Sequence, residues 1–276
     1  MLQKNKTGII GWPLNKTASP AIHHSWFNEF KIQSSYNVLP TQPENLAKVV
    51  LGLKEEYLGF NVTTPHKEKI IPMLDKIDTT ASRIKAVNTV LRHENGTLEG
   101  KNTDGYGFMQ NLKYNFPNLN PWQDPVTVIG AGGASRAIID SLITIGAPEI
   151  HLINRSIERS EKIAEDFGQK IKVFAWDNPN KINKSVRLVI NTTSLGTKGE
   201  QAANFDMQEI HQNAIVADIV YSPLRTPLLI KAQELGLSTL DGLGMLLFQA
   251  AQSFFVWHGV RPVVNVEMKD RIIKDL

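Results

Sequence analysis

The residue with the least expected setting in this sequence is Lys67, which lies in the polar stretch 61–68. The apolar run 58–62 predicts a buried strand, and the next residues predict a helix with Thr64 as its N-cap and Pro65 in its first turn. Lys67 would then lie where the helix dipole repels a cation and favours an acid. Residues that violate a local rule in this way are more typical of functional sites. The alternative is an exposed lysine that points into water.

Other polar side chains lie in loops that should follow strand ends. Ligands of open α/β sheets bind outside the carboxyl ends of the strands, so these side chains are candidates for a substrate site. Each alone would more often be a turn or cap residue, and their number is what favours a site. Together they suit a small, polyhydroxylated and anionic molecule. The candidates are Thr17, Ser19, Asn61, Thr63, Lys67, Asn88 and Asp104.

A glycine-rich turn, residues 130–137, follows the predicted buried strand 126–129 and opens a helix. In this setting backbone N–H groups and a helix N-terminus can hold a pyrophosphate. Ser135 stands where the pattern G-x-G-x-x-G has its third glycine, so the letters alone are a weak match. The order of strand, turn and helix favours a dinucleotide site over a purely structural turn.

The end of the next strand indicates which dinucleotide is bound. NAD-specific sites place Asp or Glu there to accept a hydrogen bond from the ribose 2′-OH. This chain instead has Asn154-Arg155-Ser156, with Arg159 one helical turn later. Two guanidinium groups and no carboxylate at the strand end favour the 2′-phosphate of NADP. The alternative is a solvated arginine pair at a helix start.

Composition argues against several classes of function. A chain of 276 residues with 42% apolar and 21% charged residues is that of an ordinary globular protein. The net charge of +3 is small and the basic residues are scattered, which argues against nucleic acid. Cysteine is absent and the histidines lack a metal-binding spacing, so we expect no metal. No apolar run reaches the roughly 18 residues that span a bilayer, and we expect a cytoplasmic protein with no membrane partner.

The elements that must position these residues alternate along the chain. The first third reads as strand, helix, strand, helix, strand, which implies a largely parallel sheet with crossover helices. Asn95-Gly96 then predicts a β-hairpin. A loop rich in Asn and Pro indicates a domain boundary between about residues 104 and 125. Further predicted strands are 149–153, 171–174, 187–190 and 214–218, and further helices are 157–167, 226–235, 245–257 and 263–276.

Taken in order, these motifs resemble those of the shikimate dehydrogenase family, NADP-dependent enzymes of aromatic amino-acid biosynthesis. The resemblance covers nearly the whole chain, and its specificity lies in the joint order of the motifs rather than in any one of them. The matching stretches are 11–20 (G-x-P…S-x-S-P), 61–67 (N-V-T-x-P-x-K), 86–90 (A-V-N-T-V), 102–105 (N-T-D-G), 130–137 (G-A-G-G-A-x-R-A), 154–155 (N-R), 191–196, 218–223 and 242–251.

The resemblance implies a role for each matching residue. Lys67 and Asp104 would form the catalytic pair, and Gly242 and Met245 would border the nicotinamide. The substrate-binding residues would be Thr17 and Ser19 at the carboxylate, with Tyr221 nearby, and Asn61, Thr63, Asn88 and Gln249 at the ring hydroxyls. The cofactor-binding residues would be Gly130, Ala131, Gly132, Gly133, Ala134, Asn154, Arg155, Arg159, Thr192, Ser194, Gly242 and Met245.

The resemblance also implies a two-domain α/β fold with a cleft between the domains. A mixed or parallel α/β substrate domain, residues 1–104 with 242–276, would be interrupted by an inserted Rossmann NADP-binding domain, residues 105–241. The implied reaction is the NADPH-dependent reduction of 3-dehydroshikimate to shikimate, with Lys67 as proton donor. A homodimer is compatible with the sequence, which carries no direct evidence of oligomeric state.

One departure from the family pattern leaves the substrate open. Position 17 is Thr where the family usually has Ser, which adds a methyl group at the carboxylate site. A quinate/shikimate dehydrogenase with broader substrate or NAD use is therefore an alternative. A non-catalytic NADP-binding regulator is another, although it would have no reason to retain both Lys67 and Asp104.

Overall fold

The structure, a computed structural model, describes residues 5–14, 17–176, 185–197, 205, 207 and 209–274. The chain divides into two compact units, one of Met1–Gly107 with Leu247–Leu276 and the other of Phe108–Leu246. The described residues form one six-stranded sheet in each unit. Among these residues, no helix is both long and apolar enough to cross a membrane.

The first unit carries a mixed sheet. Its strands are β1 (Lys6–Gly11), β2 (Ser35–Pro40), β3 (Tyr57–Val62), β4 (Lys76–Ile77), β5 (Thr89–Arg92) and β6 (Leu98–Lys101). Its helices are α1 (Ser19–Phe30), α2 (Leu46–Glu56), α3 (Thr79–Ile84) and α9 (Val266–Lys274), with the start of α4 (Asp104–Asn115) and most of α8 (Leu243–His258). The strand order is β2-β1-β3-β5-β6-β4. Only β5 runs antiparallel to both of its neighbours, β3 and β6.

The second unit carries a parallel sheet of Rossmann order, which confirms the predicted fold class. Its strands are β7 (Val126–Ile129), β8 (Ile150–Asn154), β9 (Ile171–Ala175), β10 (Leu188–Asn191), β11 (Ile215–Asp218) and β12 (Ser238–Leu240). The helices between them are α5 (Gly133–Thr144), α6 (Ile157–Phe167) and α7 (Pro227–Glu234). The order β12-β11-β10-β7-β8-β9 reverses direction between β7 and β10. Ligands of such sheets bind at the carboxyl ends of the strands at this switch point.

Most predicted strands and helices occur at nearly the predicted residues. The predicted hairpin is also present, and Gly96 in its turn has a φ of 84°. Short elements were missed, because β4 with two residues and β12 with three are too short for a periodic pattern. Residues 15 and 16 of the 11–20 motif and residues 275–276 of the last predicted helix lie outside the described part of the chain.

The helix predicted to begin at Thr64 was wrong. After β3 the chain forms turns up to a short 3₁₀ helix, Ile71–Met73. The N–H of His66 donates to the carbonyl of Thr63 at 2.9 Å, and the Lys67 carbonyl accepts from Val87 N–H at 2.8 Å. The Lys67 carbonyl is therefore bonded to a neighbouring segment, and the single i→i+4 bond here, from the Ile70 N–H to the His66 carbonyl at 3.0 Å, is not continued into an α-helix. Lys67 does not lie at the N-terminus of a helix.

Helix α8 is anchored to the first sheet through Trp257. Its indole N–H donates to the carbonyl of Val90 on β5 at 2.9 Å. A Cβ atom at Gly59 would lie 2.2 Å from that indole nitrogen and 2.4 Å from the Val90 carbonyl oxygen. Only glycine therefore permits this close approach of α8 to the sheet of the first unit.

We predict that Gly59→Ala lowers the free energy of unfolding by about 1–3 kcal/mol, the usual cost of overpacking a buried position. The matched control is Gly52→Ala, since Gly52 is exposed on α2 and a Cβ there would meet nothing within 4 Å. That change should stabilise the helix by about 0.5–1 kcal/mol. Urea unfolding measures both, and equal effects would contradict the packing argument.

Candidate functional site

The sheet of the first unit brings its predicted polar residues to one edge. Asn61 of β3 pairs in register with Thr89 of β5, which pairs with Lys101 of β6. Because β5 is reversed, its amino end meets the carboxyl ends of β3 and β6. Asn88, just before β5, therefore lies beside Asp104, which follows β6.

Lys67 and Asp104 form an ion pair at this edge. The Lys67 ammonium (Nζ) lies 2.5 Å from Asp104 Oδ2, and the two side chains are only 16% and 7% exposed. Asp104 begins α4, so its carboxylate, rather than the lysine, lies at the positive end of a helix dipole. Its backbone N–H donates to Asn102 Oδ1 at 3.0 Å. A cation and a helix start thus both stabilise the ionised carboxylate.

Asn88 holds the other oxygen of this carboxylate. Its Nδ2 donates to Asp104 Oδ1 at 2.8 Å and to Thr103 Oγ1 at 2.9 Å. Its Oδ1 accepts from the Thr103 N–H at 2.8 Å and from the Thr89 hydroxyl at 3.0 Å. Gln249 of α8 is within reach, with its Oε1 3.4 Å from Asn88 Nδ2. The amide is therefore fixed in one orientation, and it fixes Asp104.

Asn61 lies at the centre of a second buried network. Its Oδ1 accepts from the Tyr36 hydroxyl at 2.7 Å. Its Nδ2 lies 3.0 Å from the Asn88 carbonyl, 3.1 Å from Thr89 Oγ1 and 3.1 Å from Ser253 Oγ. Sequence reasoning missed these partners, although a lone serine inside the apolar run of α8 was a usable signal for Ser253.

The remaining predicted substrate residues of this unit, Thr17, Ser19 and Thr63, follow strands β1 and β3 at the same edge. The Thr17 hydroxyl donates at 3.1 Å to the Oγ of Ser19, which is the first residue of α1. Thr63 follows β3, and its N–H donates to the carbonyl of Ile10 at 2.9 Å. A Cβ atom at Gly11 would lie 2.4 Å from the Thr63 methyl group, so glycine is needed for these two loops to pass.

In the second unit, the glycine turn connects β7 to α5. Gly130 has a φ of 109°, and a Cβ there would lie 2.7 Å from Thr192 Oγ1, so both conformation and space require glycine. At Gly132 a Cβ would meet nothing within 4 Å. An open backbone turn next to a helix N-terminus is what a pyrophosphate needs, so these residues fit a dinucleotide.

Ser135, at the position of the third glycine, is a structural part of this turn. Its Oγ accepts from the Gly132 N–H at 3.0 Å and lies 2.7 Å from the Thr192 hydroxyl. Thr192 in turn donates to the carbonyl of Ile129 at 2.6 Å. The serine therefore connects the turn to the loop after β10, across the switch point of the sheet.

The loop after β10 is held by a buried carboxyl group. Asp218 Oδ1 accepts from Asn191 Nδ2 at 2.9 Å and from the Val220 N–H at 3.0 Å, and Oδ2 accepts from the Thr226 hydroxyl at 2.8 Å. Burial raises the pKa of Asp218 to about 6, against the opposing effect of these donors. Asn191 Oδ1 accepts from the Thr193 N–H at 3.1 Å, which shapes the loop that carries Thr192.

The end of β8 and the start of α6 contain the residues predicted to select NADP. Asn154 Nδ2 donates to the Ser156 carbonyl at 2.8 Å, and the side chains of Arg155 and Arg159 are exposed. Sequence reasoning overlooked Glu158, whose Oε2 accepts from the Ser156 hydroxyl at 2.6 Å. That hydrogen bond lowers the pKa of Glu158. The segment from Arg155 to Arg159 thus combines two guanidinium groups with one carboxylate.

The other predicted residues of the second unit lie in its loops and in its core. Ser194 is exposed and Tyr221 is half-buried, in the loops after β10 and β11 respectively. The N–H of Gly242 donates to the Val220 carbonyl at 3.2 Å. Met245 packs in the apolar core. Ala131 and Ala134 flank the glycine turn and are partly exposed. Among the described residues, no cluster of His, Asp and Glu could hold a metal ion.

Comparison with known proteins gives consistent matches over both units. Residues 9–90 match the family model of the shikimate dehydrogenase substrate binding domain, and residues 112–221 match that of shikimate / quinate 5-dehydrogenase. The shikimate dehydrogenase (NADP(+)) of Ruegeria sp. (strain TM1040) is 41% identical over 96% of this chain and 97% of its own.

Solved structures agree over nearly the full length. Shikimate 5-dehydrogenase from Thermus thermophilus, in complex with NADP(H) and shikimate, is 32% identical with a TM-score of 0.88 and covers 99% of this chain and 100% of its own. Quinate dehydrogenase from Corynebacterium glutamicum, in complex with NAD, is 26% identical with a TM-score of 0.90 and covers 98% of this chain and 99% of its own.

Proposed function

Because this chain belongs to the shikimate dehydrogenase family, we propose that it catalyses the reversible, NADPH-dependent reduction of 3-dehydroshikimate to shikimate. The observation that carries the proposal is the Lys67–Asp104 ion pair, held among amides and hydroxyls at a sheet edge. A proton donor in such surroundings suits the reduction of a carbonyl group on a polyhydroxylated ring.

Lys67 and Asp104 act on the proton of this reaction. NADPH, when bound, supplies the hydride that reduces the C3 carbonyl. Lys67 donates a proton from Nζ to the carbonyl oxygen as negative charge develops there, and its ammonium stabilises that charge. Asp104 keeps the ammonium in place, and Asn88 keeps Asp104 in place. In the oxidative direction the proton returns to Lys67 Nζ.

The other polar residues of the first unit recognise the substrate. We assign Thr17 and Ser19 to the carboxylate and Asn61, Thr63, Asn88 and Gln249 to the ring hydroxyls, with Tyr221 of the second unit also assigned to the substrate. Support comes from the hydroxyl and amide groups gathered at one sheet edge. Hydrogen-bonding sites of this kind reject analogues that lack the matching group.

The second unit binds the cofactor. We assign the pyrophosphate to the turn of Gly130, Ala131, Gly132, Gly133 and Ala134, and the 2′-phosphate to Asn154, Arg155 and Arg159. Thr192, Ser194, Gly242 and Met245 are assigned to the remainder of the dinucleotide. The open space at Gly132 and the exposed guanidinium groups support these roles.

A quinate/shikimate dehydrogenase with NAD use is the second candidate. The observation that favours it is Glu158 in the first turn of α6, since a carboxylate just after β8 can accept a hydrogen bond from the 2′-OH of NAD. The methyl group of Thr17 at the carboxylate site also leaves the substrate open. We also propose a homodimer and a cytoplasmic location, and sedimentation of the purified protein tests the dimer.

One assay tests the function and its alternatives. The purified protein is mixed with NADP⁺ and, in separate samples, with shikimate, with quinate or with neither compound. The same three samples are then prepared with NAD⁺. We expect rapid formation of NADPH only in the mixture of NADP⁺ and shikimate. The ultraviolet absorbance of NADPH monitors the reaction. Faster turnover of quinate or NAD⁺ would establish the second candidate, and NADP⁺ binding without turnover would indicate a non-catalytic regulator.

We predict that Lys67→Ala lowers kcat by about 10²-fold or more, the usual contribution of general acid catalysis. The KM for shikimate should change less, because other groups bind the ring. Lys54→Ala is the control, since it removes a half-buried lysine outside the proposed site whose Nζ lies 3.1 Å from Asp75 Oδ2. Loss of substrate affinity with unchanged kcat would make Lys67 a binding residue instead.

We predict that Arg155→Ala raises the KM for NADPH by roughly tenfold or more, because the variant loses the binding free energy of a charge-assisted hydrogen bond. The KM for NADH should stay within about twofold, because NADH has no 2′-phosphate for the guanidinium to bind. The control is Arg187→Ala, at the amino end of β10, where Arg187 lies 3.5 Å from Asp124. Equal changes for both cofactors would refute the 2′-phosphate assignment.

A further inference from the structure

The hydroxyl of Tyr36 lies between two residues that the proposed function assigns to the substrate. Tyr36 belongs to β2, pairs in register with Thr7 of β1 and is only 3% exposed. Its hydroxyl is 2.7 Å from Asn61 Oδ1, and the Ser19 side chain also interacts with it, in the sense that lowers the pKa of Tyr36. It therefore links the residue assigned to a ring hydroxyl with the one assigned to the carboxylate.

The direction of these hydrogen bonds follows from one backbone carbonyl. The Asn88 carbonyl can only accept, so the side of the Asn61 amide that faces it at 3.0 Å is Nδ2. Oδ1 then faces Tyr36, whose hydroxyl must donate to it. The remaining lone pairs of Tyr36 Oη are free to accept from Ser19, and Ser19 Oγ accepts from the Thr17 hydroxyl at 3.1 Å. The result is a chain of bonds with one direction, from Thr17 to Asn88.

The ring that carries this hydroxyl is held firmly. His23 stacks on Tyr36 with ring centroids 4.1 Å apart and an interplanar angle of 5°, and the ring of Trp257 lies 6.3 Å away. Burial keeps the pKa of His23 well below its ordinary value, so the stacked imidazole is neutral. Burial also raises the pKa of Tyr36, so the hydroxyl keeps its proton. The donor is therefore both placed and always available.

We infer that Tyr36 is a positioning residue that orients the Asn61 amide and the Ser19 hydroxyl for the substrate. The inference rests on the proposed function, because it takes Asn61 and Ser19 to be substrate contacts. Without the hydroxyl, the buried Oδ1 of Asn61 has no donor and Ser19 loses an acceptor. Both groups can then rotate away from the geometry that the substrate requires, while Lys67 and Asp104 keep theirs.

The test compares Tyr36→Phe with Tyr57→Phe. Tyr57 is also buried, and its hydroxyl accepts from Asn37 Nδ2 at 3.0 Å, so each variant removes one tyrosine hydroxyl bonded to an asparagine. Asn37 has no role in the proposed site. We expect Tyr36→Phe to raise the Kd for shikimate and its KM about tenfold, a 1.4 kcal/mol change. kcat should change less than threefold, the Kd for NADP⁺ should be unchanged, and Tyr57→Phe should leave all four values unchanged.

Two further measurements separate positioning from a general loss of stability. In a double-mutant cycle with Ser19→Ala, the effects on shikimate binding should be less than additive, since both changes break the same chain. Ser253→Ala removes the hydroxyl that accepts a hydrogen bond from Asn61 Nδ2, and it should also raise the Kd for shikimate. This variant replaces Tyr36→Phe as the test of Asn61 orientation if Tyr36→Phe does not fold.

The outcomes separate this inference from the proposed function. Equal shikimate affinities in Tyr36→Phe and Tyr57→Phe, or additive effects in the cycle, overturn the role of Tyr36. If the wild-type protein binds NADP⁺ but neither binds nor oxidises shikimate, the proposed function fails, and with it the premise of the inference.

Discussion

The antiparallel course of β5 is the constraint on which the site of the first unit depends. Because β5 runs against β3 and β6, the residue before it meets the residues that follow both neighbours. Asn88 occupies that position and bonds Asp104 and Thr103 on one side, while its carbonyl accepts from Asn61 on the other. In a fully parallel sheet Asn88 would lie at the opposite edge. The hairpin turn at Asn95-Gly96, remote from the site, thus decides whether the site can form.

The electrostatics of the site follow from the same arrangement. An ion pair that is removed from water loses hydration, and it is stable only when further hydrogen bonds satisfy its atoms. Here Asn88 satisfies one carboxylate oxygen, Lys67 the other, and the start of α4 adds a favourable dipole. The anion is therefore stabilised from three directions and the cation chiefly by the anion. The proposed role of Lys67 as proton donor is compatible with this arrangement, because Asn88 would hold Asp104 in place while the lysine gives up its proton.

Sequence reasoning identified the fold class, because periodicity and motif order are local signals. It also named Lys67, Asn88 and Asp104, which the structure brings together. It was wrong about the helix at Thr64, since the Lys67 carbonyl accepts its backbone hydrogen bond from Val87, twenty residues away in the sequence. The partners of Asn61 were missed for the same reason: Tyr36 and Ser253 come from distant elements that only the fold brings together. Glu158 was overlooked because a carboxylate at a helix start is ordinary.

The proposed site of the second unit is formed by backbone groups and that of the first unit by side chains. This difference explains how well each site could be predicted from the sequence. In the second unit the proposed pyrophosphate site is backbone, and the sequence shows it only as glycines in the right context. Ser135 stands where the dinucleotide pattern has its third glycine. Its hydroxyl accepts a hydrogen bond from the Gly132 N–H and bonds to the Thr192 hydroxyl, so it is part of the turn. In the first unit the site is made of side chains, whose types can be read directly from the sequence. Their orientation, however, depends on buried hydrogen-bond partners from distant parts of the chain, and a short motif does not contain this information.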